Sequence, residues 1–140
     1  MTEQTKRARQ FIEAIPHSRD LGMSLVRIGE GEATIAMPYD TRLVGDPDTG
    51  VISGGAVSAL MDTCCGAAVM CHPRNGGGTA TLDLRIDYMR AATPGQALET
   101  TATCYHVTRS VAFVQATAWD DDRENPVAKA TGAFTVEGVR

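Results

Sequence analysis

The stretch GGAVSALMDTCCGAAVMCH, Gly54 to His72, decides the fold. Small or apolar side chains occupy nearly every position and every side of the helix it would form, so that helix belongs inside the protein. One carboxylate, Asp62, interrupts the run. An isolated buried carboxylate is costly unless it takes up a proton or finds partners, so its presence needs a reason, and a reactive site is the leading one. The other reading is a carboxylate that caps a neighbouring loop or accepts from backbone N–H groups inside a sheet.

Immediately upstream, Tyr39 to Ser53 is a loop rich in Asp, Pro and Gly that runs into Gly54-Gly55. Ser53 suits the N-cap, and paired glycines let a ligand approach the free N–H groups of the first turn at the positive end of the helix dipole. A tight loop-to-helix turn is the plainer alternative. Downstream, Pro73 and Gly76-Gly77-Gly78 end the helix. Thr79 to Arg90 then alternates, with Leu82, Leu84, Ile86 and Tyr88 on one face and Thr81, Asp83, Arg85 and Asp87 on the other. Ala97 to Val107, Val111 to Trp119 and Val127 to Val136 follow as further β runs. Thr108-Arg109-Ser110 joins the first two, and an acidic turn from Asp120 to Pro126 joins the last two. That turn is read as solvated, since it lacks the glycine and terminal glutamate of a calcium loop.

Towards the N-terminus, Met23 to Ile28 and Ala33 to Met37 flank Gly29-Glu30-Gly31 as a hairpin. Glu3 to Ile15 carries Ala8, Phe11, Ile12 and Ile15 at helical spacing and stops at Pro16. The order is a short helix, a hairpin, one long buried helix, and four successive antiparallel strands. A twisted sheet wrapped round a single apolar helix satisfies it, and the exposed edges of such a sheet invite a second copy.

The 140 residues fit a single domain spanning 1–140. A net charge of -4 argues against nucleic acid or an anionic membrane as a general partner. The polar start from Met1 to Arg9 lacks the apolar run of a secretory signal, and a cytoplasmic location is expected. Cys64, Cys65, Cys71 and Cys104 read as buried thiols, since Cys64 and Cys71 would lie about 10 Å apart along a helix. Their spacing matches no usual zinc site, so no metal is expected.

Two segments, SGGAVSALMD at 53–62 and TLDLRIDYMR at 81–90, together with the order of elements, resemble the hotdog-fold thioesterases of the phenylacetic-acid-degradation (PaaI-like) type. The likeness runs from about Leu21 to Val136. It implies an α+β hotdog fold, an antiparallel sheet wrapped around one long central helix with a short N-terminal helix. It also implies hydrolysis of an acyl-CoA thioester without a cofactor. The family's acid falls at Asp62, as general base or nucleophile, and its hydroxyl residue at Thr81, holding the attacking water. The first glycine of the helix is Gly54, whose N–H would polarise the thioester carbonyl. Ser53 and Gly55 would flank the carbonyl, Met61 and Cys65 would line an acyl tunnel, and Arg90 and Arg109 would meet the nucleotide phosphates as mobile surface cations or stand as ordinary exposed arginines.

The chain departs from the family pattern twice. Ser53 stands where the family has histidine, and Pro47 where it has an asparagine that shares the carbonyl. Losing one such donor typically removes about 2.7 to 4 kcal/mol of transition-state stabilisation, which makes low activity an expectation. A non-catalytic acyl-CoA or small-aromatic binding module is the alternative. Gly54 and Asp62 are eight residues apart, about 12 Å along one helix, too far for one reacting group. A homodimer is expected to supply the missing half, with a dimer of dimers the next assembly open to it.

Overall fold

The computed structural model describes residues 2–138. Helix α1, Glu3–Ala14, starts on Thr2, whose side chain accepts from the Thr5 N–H, and stops at Ile15 because the residue before a proline is driven out of the helical region. It buries Ala8 and Ile12, but Phe11, expected on the same face, is 55% exposed. Pro16 also begins a second short helix, α2, Pro16–Asp20, since its fixed φ suits a first helical position.

Strands β1, Ser24–Gly29, and β2, Glu32–Met37, form the expected hairpin. Its tip is Glu30-Gly31, with φ of 54° and 79°, the pair of left-handed residues that a two-residue turn between twisted strands demands. The loop after β2 is more ordered than its composition suggests. A 3-10 turn at Thr41–Leu43 leads into a small hairpin of β3, Val44–Asp46, and β4, Val51–Ile52.

The central helix α3 spans Gly54–Met70. It buries Ala56, Val57, Leu60, Met61, Cys64, Cys65, Ala67, Ala68 and Val69 against the sheet. The enclosure expected on every side is incomplete, however. Gly55, Ser58, Ala59, Asp62, Thr63, Gly66 and Met70, spaced three or four apart, form one stripe that the chain leaves open in whole or part.

Strands β5, Thr81–Tyr88, β6, Leu98–Val107, β7, Val111–Trp119, and β8, Ala128–Thr135, complete one antiparallel sheet of order β1-β2-β6-β7-β8-β5. The four strands that follow α3 in the chain are those expected, but they are not four neighbours in the sheet. The β6–β7 turn and the 120–127 loop tie β6, β7 and β8 into a meander, β2 takes the free side of β6, and β5 pairs with the outer side of β8. As an edge strand, β5 buries less than its alternation promised. Leu84 and Ile86 are half-buried, whereas Leu82 and Tyr88 are 58% and 52% exposed.

The acidic turn is anchored, not merely solvated. Asp120 is buried and accepts from Arg90 Nη1 and Nη2 at 2.7 and 2.6 Å and from the N–H groups of Thr93 and Asp122. The Arg90 guanidinium beside it holds the carboxyl well below the usual carboxylate range. The four cysteines are free and buried. Burial pushes the Cys64 thiol up to about 12 and Cys104 to about 11, and raises Cys65 and Cys71 as well, so none is a thiolate nucleophile near neutral pH. No helix among the described residues is long and apolar enough to cross a membrane.

Candidate active site

Asp62 lies on the open stripe of α3, only partly covered by its own chain. Its Oδ1 accepts a 2.7 Å hydrogen bond from the Thr81 hydroxyl. Simple alternation would have sent Thr81 outward with Asp83, Arg85 and Asp87. A bulge intervenes, since Thr81 pairs with Phe134 and Asp83 with the adjacent Ala133, so two steps of β5 match one of β8. The extra residue turns Thr81 to the helix side, the re-aiming of one side chain that bulges provide. Because Thr81 donates to the carboxylate, its oxygen lone pairs stay open to a water molecule.

At the other end of the stripe, Ser53 caps α3. Its Oγ accepts from the Gly55 N–H at 3.2 Å, and its carbonyl accepts from Ala56 and Val57. Of the four N–H groups that open a helix, three are thus satisfied, and the Gly54 N–H has no acceptor among the described residues. The Ser53 hydroxyl likewise donates to no described group. Two donors therefore converge at the positive end of α3, where an oxyanion would be favoured.

Nothing within the chain requires glycine at these positions. Neither Gly54 nor Gly55 has a positive φ, and the nearest atoms to a Cβ on Gly54 would be those of Tyr88, at an ordinary contact distance of 3.6 to 3.8 Å. Glycine in a helix costs roughly 0.5–1 kcal/mol relative to alanine, so a pair of them points to an approach from outside the chain. Gly54→Ala is accordingly expected to raise stability by about 0.4–1 kcal/mol in urea unfolding. The same methyl would shift a bound carbonyl by about 1 Å, enough to lower turnover by about a hundredfold in a thiol-release assay.

The remaining expected residues divide. Met61 and Cys65 are wholly enclosed in the core at 0% exposure, so the acyl tunnel expected along them is not formed by this chain. Arg90 is neither a mobile cation nor an ordinary exposed arginine, since it is locked onto Asp120 and donates through Nε to the Asn125 carbonyl. Arg109 is exposed in the β6–β7 turn. Pro47 sits exposed in the β3–β4 turn, where Asp46 bonds the Asp48 N–H and the Thr49 hydroxyl. Tyr88 escaped the sequence reading. Its hydroxyl donates to the Gly54 carbonyl at 2.9 Å, and the available signal was an aromatic with a polar tip ending a strand that faces the helix.

The two halves of the site stay apart in one chain. Two concavities lie elsewhere, one of about 620 Å³ between α1 and the β1–β2 turn and another of about 450 Å³ on the outer face of the sheet.

Comparison with known proteins fits this architecture. The profile of the Thioesterase superfamily matches residues 49–127, which include all of α3 and the Asp62–Thr81 pair. The chain belongs to the thioesterase superfamily. It is 39% identical to a solved protein from Pseudomonas aeruginosa, over 96% of this chain and 99% of that one, with a TM-score of 0.84. The E. coli PaaI protein of the phenylacetic acid degradation operon is 19% identical over 97% of this chain and 95% of its own, with a TM-score of 0.83. A Streptococcus mutans protein solved bound to acetyl CoA is 23% identical over 84% of this chain and 90% of its own, with a TM-score of 0.73. These last two likenesses show the hotdog fold. A comparison with curated proteins found no match.

Proposed function

We propose that the protein hydrolyses an acyl-CoA thioester at a site shared by two copies of the chain. The observation that carries this reading is the Thr81–Asp62 hydrogen bond made across the β5 bulge, in a chain of the thioesterase superfamily. The acetyl CoA bound to the Streptococcus mutans protein supports a CoA ester as the substrate type. Asp62 either takes a proton from a water held by Thr81 while that water adds to the thioester carbonyl, or adds to the carbonyl itself and leaves a mixed anhydride for water to open. In both routes the C–S bond breaks, CoA leaves as the thiol after gaining a proton, and the acyl group leaves as the free acid. Gly54 N–H and the Ser53 hydroxyl stabilise the oxyanion, and the exposed Arg109 meets the phosphates.

Two features favour the second copy. Gly54 and Asp62 are about 12 Å apart along the helix axis. Leu82 and Met89, exposed at the sheet edge beside the open stripe of α3, make an apolar border that a partner's edge would cover. Light scattering that finds only monomer under conditions of turnover would refute the shared site. Thr81→Ala is expected to slow turnover by about tenfold, far less than loss of the acid, because it orients water and supplies no base. Equal losses in the two variants would mean a common structural defect, which melting temperatures would reveal. The decisive trial is a panel of acyl-CoA esters followed by thiol release. Binding without release by the wild type would select the acyl-CoA or small-aromatic binding module instead.

A further inference from the structure

Strand β5 grips the central helix at two points. Thr81 bonds Asp62, and seven residues on Tyr88 bonds the carbonyl of Gly54. The second grip is not required to satisfy either partner. The Gly54 carbonyl already faces the Ser58 N–H one turn along the helix, and the Tyr88 phenol is exposed enough to bond water. What the contact does is extend a sequence of hydrogen bonds. The phenol donates to the Gly54 carbonyl at 2.9 Å, and that carbonyl shares its peptide unit with the Gly55 N–H. The N–H in turn donates to Ser53 Oγ at 3.2 Å, leaving the Ser53 hydroxyl proton free.

We propose that Tyr88, the Gly54–Gly55 peptide and Ser53 form one hydrogen-bonded chain whose free end, the Ser53 hydroxyl, is the second donor to the substrate carbonyl, with Tyr88 as its positioning residue. Each link polarises the next. A donor on the peptide oxygen makes the peptide N–H a stronger donor, and a donor on Ser53 Oγ makes its remaining O–H a stronger one. The direction of transfer is also fixed, because Oγ accepts from Gly55 and therefore turns its proton away from the helix. The Tyr88 ring, 3.6 to 3.7 Å from where a Cβ on Gly54 would stand, backs the same residue. In this way a serine, tuned from behind, takes the place of a side chain that would otherwise carry its own N–H to the carbonyl.

The proposal rests on a thioester carbonyl binding at the N-terminus of α3, and its test separates that from hydrolysis. The probes are acetyl-CoA and benzoyl-CoA labelled with 13C at the carbonyl, bound to Asp62→Asn so that the ester persists, and read by isotope-edited infrared spectroscopy. Tyr88→Phe keeps the ring and its packing and removes only the hydroxyl. In the Asp62→Asn background the carbonyl stretch is expected to move to lower frequency on binding, by less when Tyr88→Phe is added. With Ser53→Ala the shift should fall further, and Tyr88→Phe should then add nothing. In the otherwise intact enzyme Tyr88→Phe lowers kcat by about fivefold with KM little changed, the effect of weakening one hydrogen bond. Ser53→Thr, which keeps a hydroxyl, retains the Tyr88 dependence that Ser53→Ala abolishes. A carbonyl stretch that ignores Tyr88, or Tyr88 and Ser53 losses that multiply independently, overturns the chain while leaving the hydrolase reading intact. A stretch that follows Tyr88 in a protein releasing no thiol upholds the chain and overturns the hydrolase reading. No carbonyl shift with either ester overturns the chain outright.

Discussion

Replacing Asp62 by asparagine is expected to lower thiol release from acyl-CoA esters at least about a thousandfold, the upper part of the range for losing a general base, while the protein stays folded. The substitution is nearly isosteric. Thr81 donates to Asp62 through its own hydroxyl proton, and an amide oxygen can accept that bond as a carboxylate oxygen does. What disappears is the lone pair that takes a proton from water or attacks the carbonyl. A partner helix that covers the open stripe would also bury this carboxylate, and the neutral amide removes that desolvation cost, so melting temperature should hold or rise. Turnover equal to wild type in the folded variant would remove Asp62 from the chemistry.

Asp120→Ala is expected to cause the largest loss of stability, about 3 kcal/mol, measured by urea unfolding at pH 7. The carboxylate is buried and accepts from both terminal nitrogens of Arg90 and from two backbone N–H groups. Removing it leaves a guanidinium and two amides short of an acceptor. The figure is at the lower end for a broken buried pair because the Arg90 side chain retains 27% exposure. The pH dependence follows from the lowered carboxyl value, set first by the Arg90 bond. A group whose folded value is depressed stabilises fully above its unfolded value, near 4, and loses that contribution as pH falls towards the folded value. The gap between wild type and Asp120→Ala should therefore narrow from pH 7 to pH 3. A gap that widens on acidification would mean that the pair does not hold the turn.

Helix α3 was legible because small or apolar residues fill nearly every position of it, and β6, β7 and β8 were legible as runs of β-prone residues between turn signals. Strand order was not, since periodicity records which face is buried and not which strand lies alongside. The same limit hid the bulge at Thr81. Alternation sets that residue outward, and only the register of β5 against β8 turns it onto Asp62. For Asp62 the expectation of a fully buried acid fails in one chain for a physical reason, since the stripe it occupies faces outward from its own sheet. Arg90 and Asp120 are 30 residues apart, and no local pattern links them. Met61 and Cys65 came from the family likeness, and the helix phase of this chain turns them into the core instead.

A site divided between copies can be tested directly by mixing two disabled variants. Each alone, Asp62→Asn or Gly54→Ala, should release little thiol from the best ester of the panel. After equal amounts are unfolded and refolded together, half the dimers should be mixed, and each mixed dimer has one site with an intact Asp62 from one copy and an intact Gly54 from the other. Thiol release should then recover to about one quarter of the wild-type rate per chain, by that combinatorial count. Recovery of no activity from a mixture shown to contain mixed dimers, beside an active wild type, would contradict the shared site and put both halves of the chemistry within a single chain.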